Sequence, residues 1–176
     1  DARVQEALAA LQTWLEAQAA YERIPGMSAA IVHDQELLWT GALGMAHPDR
    51  GVPATPATIY SICSISKLFT SVALMQLRDR GQVDLDEPVA TYLPWFALGK
   101  DYEGSAPVTV AGILTHSAGL PRESDHPYWS APDFAFPTRE EIIAGLQNQK
   151  ALYPAWKYFQ YSNLGLTLAG EIVREV

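Results

Sequence analysis

The chain has 176 residues, 48% of them hydrophobic and 18% charged, which is enough to bury a core and ordinary for a folded protein. A net charge of −8 with no Lys/Arg cluster argues against a nucleic-acid partner, which needs cations to meet its phosphates. No apolar run approaches the roughly 18 residues of a membrane span, and a single cysteine, Cys63, excludes an internal disulfide.

A start at Asp1, with neither a methionine nor a signal peptide, implies that upstream residues have been taken off, so the N-terminus does not report the compartment. Val4, Leu8, Leu11 and Leu15 then recur at helical spacing, predicting an amphipathic helix that ends near Arg23-Ile24-Pro25-Gly26. Two short apolar runs, 28–33 and 37–43, flank the polar link Asp34-Gln35-Glu36 and read as an antiparallel hairpin. Residues 47–58 are a Pro-rich connector expected to cross the surface.

From Ser64 to Arg80 the sequence reads as one helix, with Ile65, Leu68, Phe69, Val72, Leu74, Met75 and Leu77 apolar and Gly81 placed to stop it. Shorter helices are expected at 109–116 and 139–148, the second opened by a capping box between Thr138 and Glu141. A last helix runs from Leu164 to the end. Between them, residues 117–137 hold four prolines with Tyr128, Trp129, Phe134 and Phe136. Such a loop either lines a site or crosses the surface with its aromatics packed beneath it, and both readings stand. No strand is expected after residue 60, so the hairpin needs further strands or a helix to cover it. The pattern is that of an α+β domain whose sheet is unfinished, 1–60 holding the helix and hairpin and 61–176 mostly helical.

Two clusters carry chemistry. Ser64 and Lys67 stand three apart, a spacing that places both on one helical face. A serine hydroxyl is a poor nucleophile until a base takes its proton. A lysine can be that base once it is withdrawn from water, and Ile62, Leu68 and Phe69 suggest an apolar pocket for it. Backbone N–H groups at the helix start can support a developing oxyanion. Alone, Ser-x-x-Lys is a common spacing. The second cluster is Tyr161-Ser162-Asn163, just ahead of the last helix. A tyrosine beside a lysine can move a proton, and an asparagine amide can orient a lysine or a substrate carbonyl. Ser162 or Asn163 as an N-cap with Tyr161 in the core is a compatible structural use.

Ser-x-x-Lys followed by Tyr-x-Asn, within Tyr60-Ser61-Ile62-Cys63-Ser64-Ile65-Ser66-Lys67-Leu68-Phe69-Thr70, resembles the serine β-lactamase and penicillin-binding-protein superfamily, its class C-like branch most of all. Residues 81–89 (GQVDLDEPV) and 114–121 (LTHSAGLP) resemble segments of the same branch. The resemblance implies a β-lactamase/transpeptidase-like fold in which Ser64 forms an acyl-enzyme and its own N–H joins the oxyanion hole. It implies that Lys67 and Tyr161 share the acid/base work and that Asn163 binds the lysine and the substrate amide. Cys63 stands where that branch often has glycine and is expected to be small and packed. The family's third motif, Lys/His-Thr/Ser-Gly, does not occur after Tyr-Ser-Asn. By that comparison the chain is expected to be an N-terminal portion, with the remaining sheet strands and a C-terminal helix missing.

Among the four histidines there is no metal-binding pair and no Gly-x-Ser-x-Gly elbow. His116 is expected to be structural and His126 to lie in the aromatic loop. Asp84 and Asp86 read as turn residues that bond the backbone. No cofactor or metal is expected. The function implied is a serine hydrolase acting on an amide, β-lactam or ester as a penicillin-binding-protein-like peptidase or esterase. The alternative is a catalytically incomplete or scaffold module that needs a second chain or segment. The resemblance favours a periplasmic or secreted location and leaves a cytoplasmic one open.

Overall fold

The computed structural model describes residues 1–99, 102–125 and 135–176. These fall into two compact units, Asp1–Ser61 and Ile62–Val176.

In the first unit, helix α1 (Ala2–Tyr21) is capped by Asp1, whose side chain accepts the Arg3 N–H. Of its predicted apolar row only Leu8 is fully buried, while Val4 is 41% exposed. Leu15 and Gln12 border a small cavity with Met27, Ala29 and Trp39 of the hairpin. Strands β1 (Gly26–His33) and β2 (Glu36–His47) pair antiparallel, with Ala30 opposite Thr40 and an irregularity at Ile31/Val32. The connection is two residues, one shorter than the expected polar link, because Glu36 already pairs with His33. Asp34 and Gln35 have φ of 46° and 69°, the double left-handed geometry whose twist matches a hairpin. The Pro-rich connector is more ordered than its composition suggests. It forms a 3₁₀ turn, Pro48–Arg50, and a two-residue strand β3 (Val52–Pro53) on the free edge of β2, where a proline without an N–H is tolerated.

The second unit is helical. It contains α2 (Ser66–Asp79), α3 (Val89–Tyr92), α4 (Val110–Leu114), α5 (Arg139–Leu146) and α6 (Asn163–Glu175). Helix α6 organises it: Leu164, Leu168 and Ile172 follow one face and are at most 1% exposed. They pack with Leu74 of α2, Ile113 of α4, Leu93, Leu120 and Leu146 in one core. Burying each such side chain contributes about 1.5–3 kcal/mol. The capping box predicted for α5 forms, with Thr138 N–H on Glu141 Oε2 (2.7 Å) and Glu141 N–H on Thr138 Oγ1 (3.2 Å). Arg139 at the head of α5 then bonds Glu171 (2.6 Å) and Glu175 (3.0 Å), tying α5 to α6. Asp84 Oδ1 accepts the Asp86 N–H at 2.9 Å, the backbone use expected of that pair.

Helix α2 departs from expectation on its outer side. Leu74 is buried, but Ile65, Leu68, Phe69 and Val72 are 57–69% exposed. A helix that is apolar around most of its circumference cannot turn every such residue to one neighbour. After residue 60, the described residues hold only the isolated bridge between Pro88 and Thr109. The aromatic part of the 117–137 loop, His126 included, lies outside the described residues.

Candidate active site

Ser64 does not sit in a regular helix, as its pattern suggested. It lies in a 3₁₀ turn, Cys63–Ile65, that runs directly into α2. Cys63 opens this turn at φ 46°, a left-handed backbone that glycine adopts at no steric cost. Cys63 is exposed rather than packed, which corrects the expectation drawn from its place in the family-like segment. The turn leaves Ser64 just ahead of α2, with the Ile65 N–H bonded back to the Ile62 carbonyl and the Ser66 N–H to the Cys63 carbonyl.

Lys67 comes one turn later, and its Nζ donates to Ser64 Oγ at 3.1 Å. The apolar pocket expected around it does not form, because Ile62 is 44% exposed and Leu68 and Phe69 more so. What faces Lys67 instead is aromatic: its ammonium stands 5.0 Å from the centre of the Tyr161 ring.

Tyr161 reaches the same hydroxyl from the far end of the sequence. Its OH donates to Ser64 Oγ at 2.8 Å across 97 residues. A cation next to a phenol favours the phenolate. Lys67, and after it the Ser64 hydroxyl, holds the Tyr161 phenol below its ordinary value of 10.0, with Arg122 adding in the same direction. The Arg122 guanidinium stands 5.0 Å from the Tyr161 ring centre. Tyr161 is half-buried, so it is not the core aromatic of the structural reading.

The two residues that follow divide their work. Ser162 is the N-cap of α6: its Oγ accepts the Gly165 N–H (2.9 Å) and donates to the Pro121 carbonyl (2.6 Å). Asn163 begins the helix. Its amide nitrogen donates to Glu123 Oε1 at 2.7 Å rather than engaging Lys67, and its backbone N–H bonds the Arg122 carbonyl at 2.7 Å. Asn163 and Lys67 nevertheless border one open pocket of about 330 Å³, with Ser66, Thr70 and Leu166.

Ser64, Lys67 and Tyr161 thus converge on one oxygen, with Asn163 beside them. Glu123 and Arg122 were not foreseen as part of the site. Their only signal was position, directly after the family-like Leu-Pro at 120–121. The loop carrying them is braced at Gly119, where φ is +73° and a Cβ would lie 2.0 Å from the Tyr153 carbonyl oxygen. Among the described residues no cluster of three His, Cys, Asp or Glu could hold a metal ion. No described helix is long and apolar enough to cross a membrane.

Residues 11–176 match the Beta-lactamase family. Among curated relatives, Beta-lactamase-like protein 2 of Dictyostelium discoideum is 33% identical over 150 residues, covering 84% of this chain and 27% of its own length. The D-alanyl-D-alanine-carboxypeptidase/endopeptidase AmpH of Escherichia coli (strain K12) is 30% identical over 146 residues, covering 83% of this chain and 37% of its own. Among solved structures, an octameric penicillin-binding protein homologue from Pyrococcus abyssi superposes with a TM-score of 0.78 at 31% identity, over 96% of this chain and 39% of that one. The chain therefore spans about a third of the length of these relatives. The match over nearly all of its length, the α+β architecture and the meeting of the Ser-x-x-Lys and Tyr-x-Asn residues agree: the chain belongs to the beta-lactamase family.

Proposed function

We propose that the chain carries the nucleophile side of a serine acyl-transfer site, with Ser64 as nucleophile, Lys67 and Tyr161 as its acid/base pair and Asn163 as a substrate-binding residue. The observation that carries this reading is the placement of Ser64 Oγ within hydrogen-bond reach of both Tyr161 OH and Lys67 Nζ. With Lys67 as the ammonium and Tyr161 as the phenolate, Ser64 Oγ attacks a substrate carbonyl carbon while its proton passes to Tyr161. The carbonyl electron pair moves onto oxygen, where the Ser64 N–H just ahead of α2 can receive it. Collapse breaks the bond to the leaving amine or alcohol, which takes the proton back from Tyr161. Water then repeats the sequence on the acyl-enzyme and restores Ser64.

Substrates of the D-Ala-D-Ala, β-lactam or small-ester class suit this site, and the name of the Escherichia coli relative supports a peptidase among them. A second reading, a binding module of the same fold, is supported by the engagement of the Asn163 donor with Glu123.

One experiment separates the two: incubation of the folded chain with a fluorescent penicillin or a fluorophosphonate, followed by peptide mapping. Label on Ser64, abolished by Ser64→Ala, supports the acyl-enzyme. A folded chain that takes no label on Ser64 is a binding module or inactive by itself.

A further inference from the structure

We infer that His116 is a positioning residue, whose neutral imidazole clamps Tyr161 over Ser64 and releases it in acid. The inference rests on the reading of Ser64 and Tyr161 given above.

Ser117 N–H bonds back to the Gly112 carbonyl at 2.9 Å, closing a helix stop that ordinarily places glycine at the left-handed position. His116 occupies that position at φ 59°, where an L side chain is strained. A strained non-glycine residue next to a reactive group points to a use for its side chain.

That use is visible on both sides of Tyr161. The Gln160 N–H donates to the His116 carbonyl at 2.7 Å, and the Ser162 N–H donates to His116 Nδ1 at 3.1 Å. Both chain neighbours of the tyrosine are therefore held by one residue 46 positions before Ser162. Between these two bonds the rings of His116 and Tyr161 lie 4.5 Å apart at 31°. Phe159 also meets the imidazole, edge-on at 5.6 Å. Segment 159–162 has no regular strand or helix of its own, so beyond the anchoring of Ser162 as the α6 cap, this clamp sets the orientation of Tyr161.

An Nδ1 that accepts a hydrogen bond carries no proton, so the clamp requires the neutral ring. The charged and titratable groups around it are Lys67 from α2, Tyr161 itself and, at the Tyr161 ring, Arg122 from the loop after α4. Burial first, and the Lys67 charge second, hold His116 below its ordinary value of 6.5 and so keep the clamp engaged at neutral pH. Below that folded value the ring gains a proton at Nδ1, the Ser162 N–H loses its acceptor, and Tyr161 loses its hold on Ser64.

Two variants test this, with the rate of fluorescent-penicillin incorporation at Ser64 followed against pH. His116→Gly relieves the strained backbone and removes the imidazole half of the clamp, the Nδ1 acceptor and the ring stack, while its carbonyl still holds Gln160. It should melt no lower than the wild type yet acylate about a hundredfold more slowly, the scale of a small misplacement of a catalytic group. His116→Asn tolerates the same backbone and offers a non-titrating oxygen near Nδ1. It should recover much of the rate at about pH 8 and lose the added fall in rate below the folded His116 value, keeping only the limb set by Tyr161. Wild-type acylation by His116→Gly, or the same added fall in His116→Asn, would overturn the inference. If the wild type takes no label, the function proposed above fails separately, and amide exchange at Ser162 then decides about the clamp. Protection that is lost on acidification in the wild type and absent in His116→Gly supports it, and equal protection in both sinks it.

Discussion

Tyr161 and Lys67 are coupled at the scale of single residues, and the coupling has a sign. The reactive form of the phenol in the proposed mechanism is the phenolate, so acylation should rise with pH as Tyr161 loses its proton. Because Lys67 holds that phenol below 10.0, the rising limb should lie below the ordinary tyrosine range. Lys67→Met removes the ammonium and should move the limb back up toward 10.0, besides lowering the rate. A pH series of label incorporation checks both, and a limb that stays in place in Lys67→Met would refute the coupling. Tyr161→Phe leaves the ring stacked on His116 but removes the proton acceptor. A loss of about 10²–10⁴-fold in acylation with unchanged folding is expected, the usual contribution of a positioned acid or base.

At the scale of elements, α6 carries both the core and the site, and its N-terminus joins them. Ser162 is 3% exposed, caps the helix and donates to Pro121 in the loop that also supplies Arg122 and Glu123. Thr138 caps α5 in the same way but at an exposed position. Ser162→Ala should therefore cost more than Thr138→Ala. The exposed cap is worth about 1 kcal/mol, while the buried serine also leaves the Pro121 carbonyl without its donor, adding about 1–3 kcal/mol. Urea midpoints of the two variants measure the difference, and equal midpoints would show that the Pro121 bond contributes nothing.

For the molecule as a whole, the helical unit stands or falls with one core. Leu168 is fully buried at its centre, and Leu168→Ala should cost about 2–5 kcal/mol as a cavity that the surrounding helices cannot fully close. Stability should also depend on pH through His116. Its folded value is lowered, so the unfolded chain binds the proton more readily. Its contribution is fully present above about 6.5 and is lost as pH falls through the folded value. Thermal midpoints should drop on acidification across that window, and the drop should be shallower in His116→Asn.

Local rules were sufficient wherever a feature depends on residues a few positions apart. The hairpin at Asp34-Gln35, the capping box at Thr138–Glu141 and the alignment of Ser64 with Lys67 are all of this kind, since backbone geometry alone decides them. The family-like text carried Tyr161 and Asn163 into the candidate site, although nothing in their spacing brings them near Ser64. What no local pattern contained was the environment. The apolar neighbours of Lys67 turned outward because α2 offers α6 only one face. Asn163 met Glu123, and His116 met Ser162, because the loop after α4 folds back onto the start of α6. Sequence by itself determined the chemical groups and the short elements that carry them. The packing of α2, α4 and α6 around Leu74, Ile113 and Leu168 decided which of those groups meet, since contacts across 97 residues follow from burying a shared core and from no periodicity in the chain.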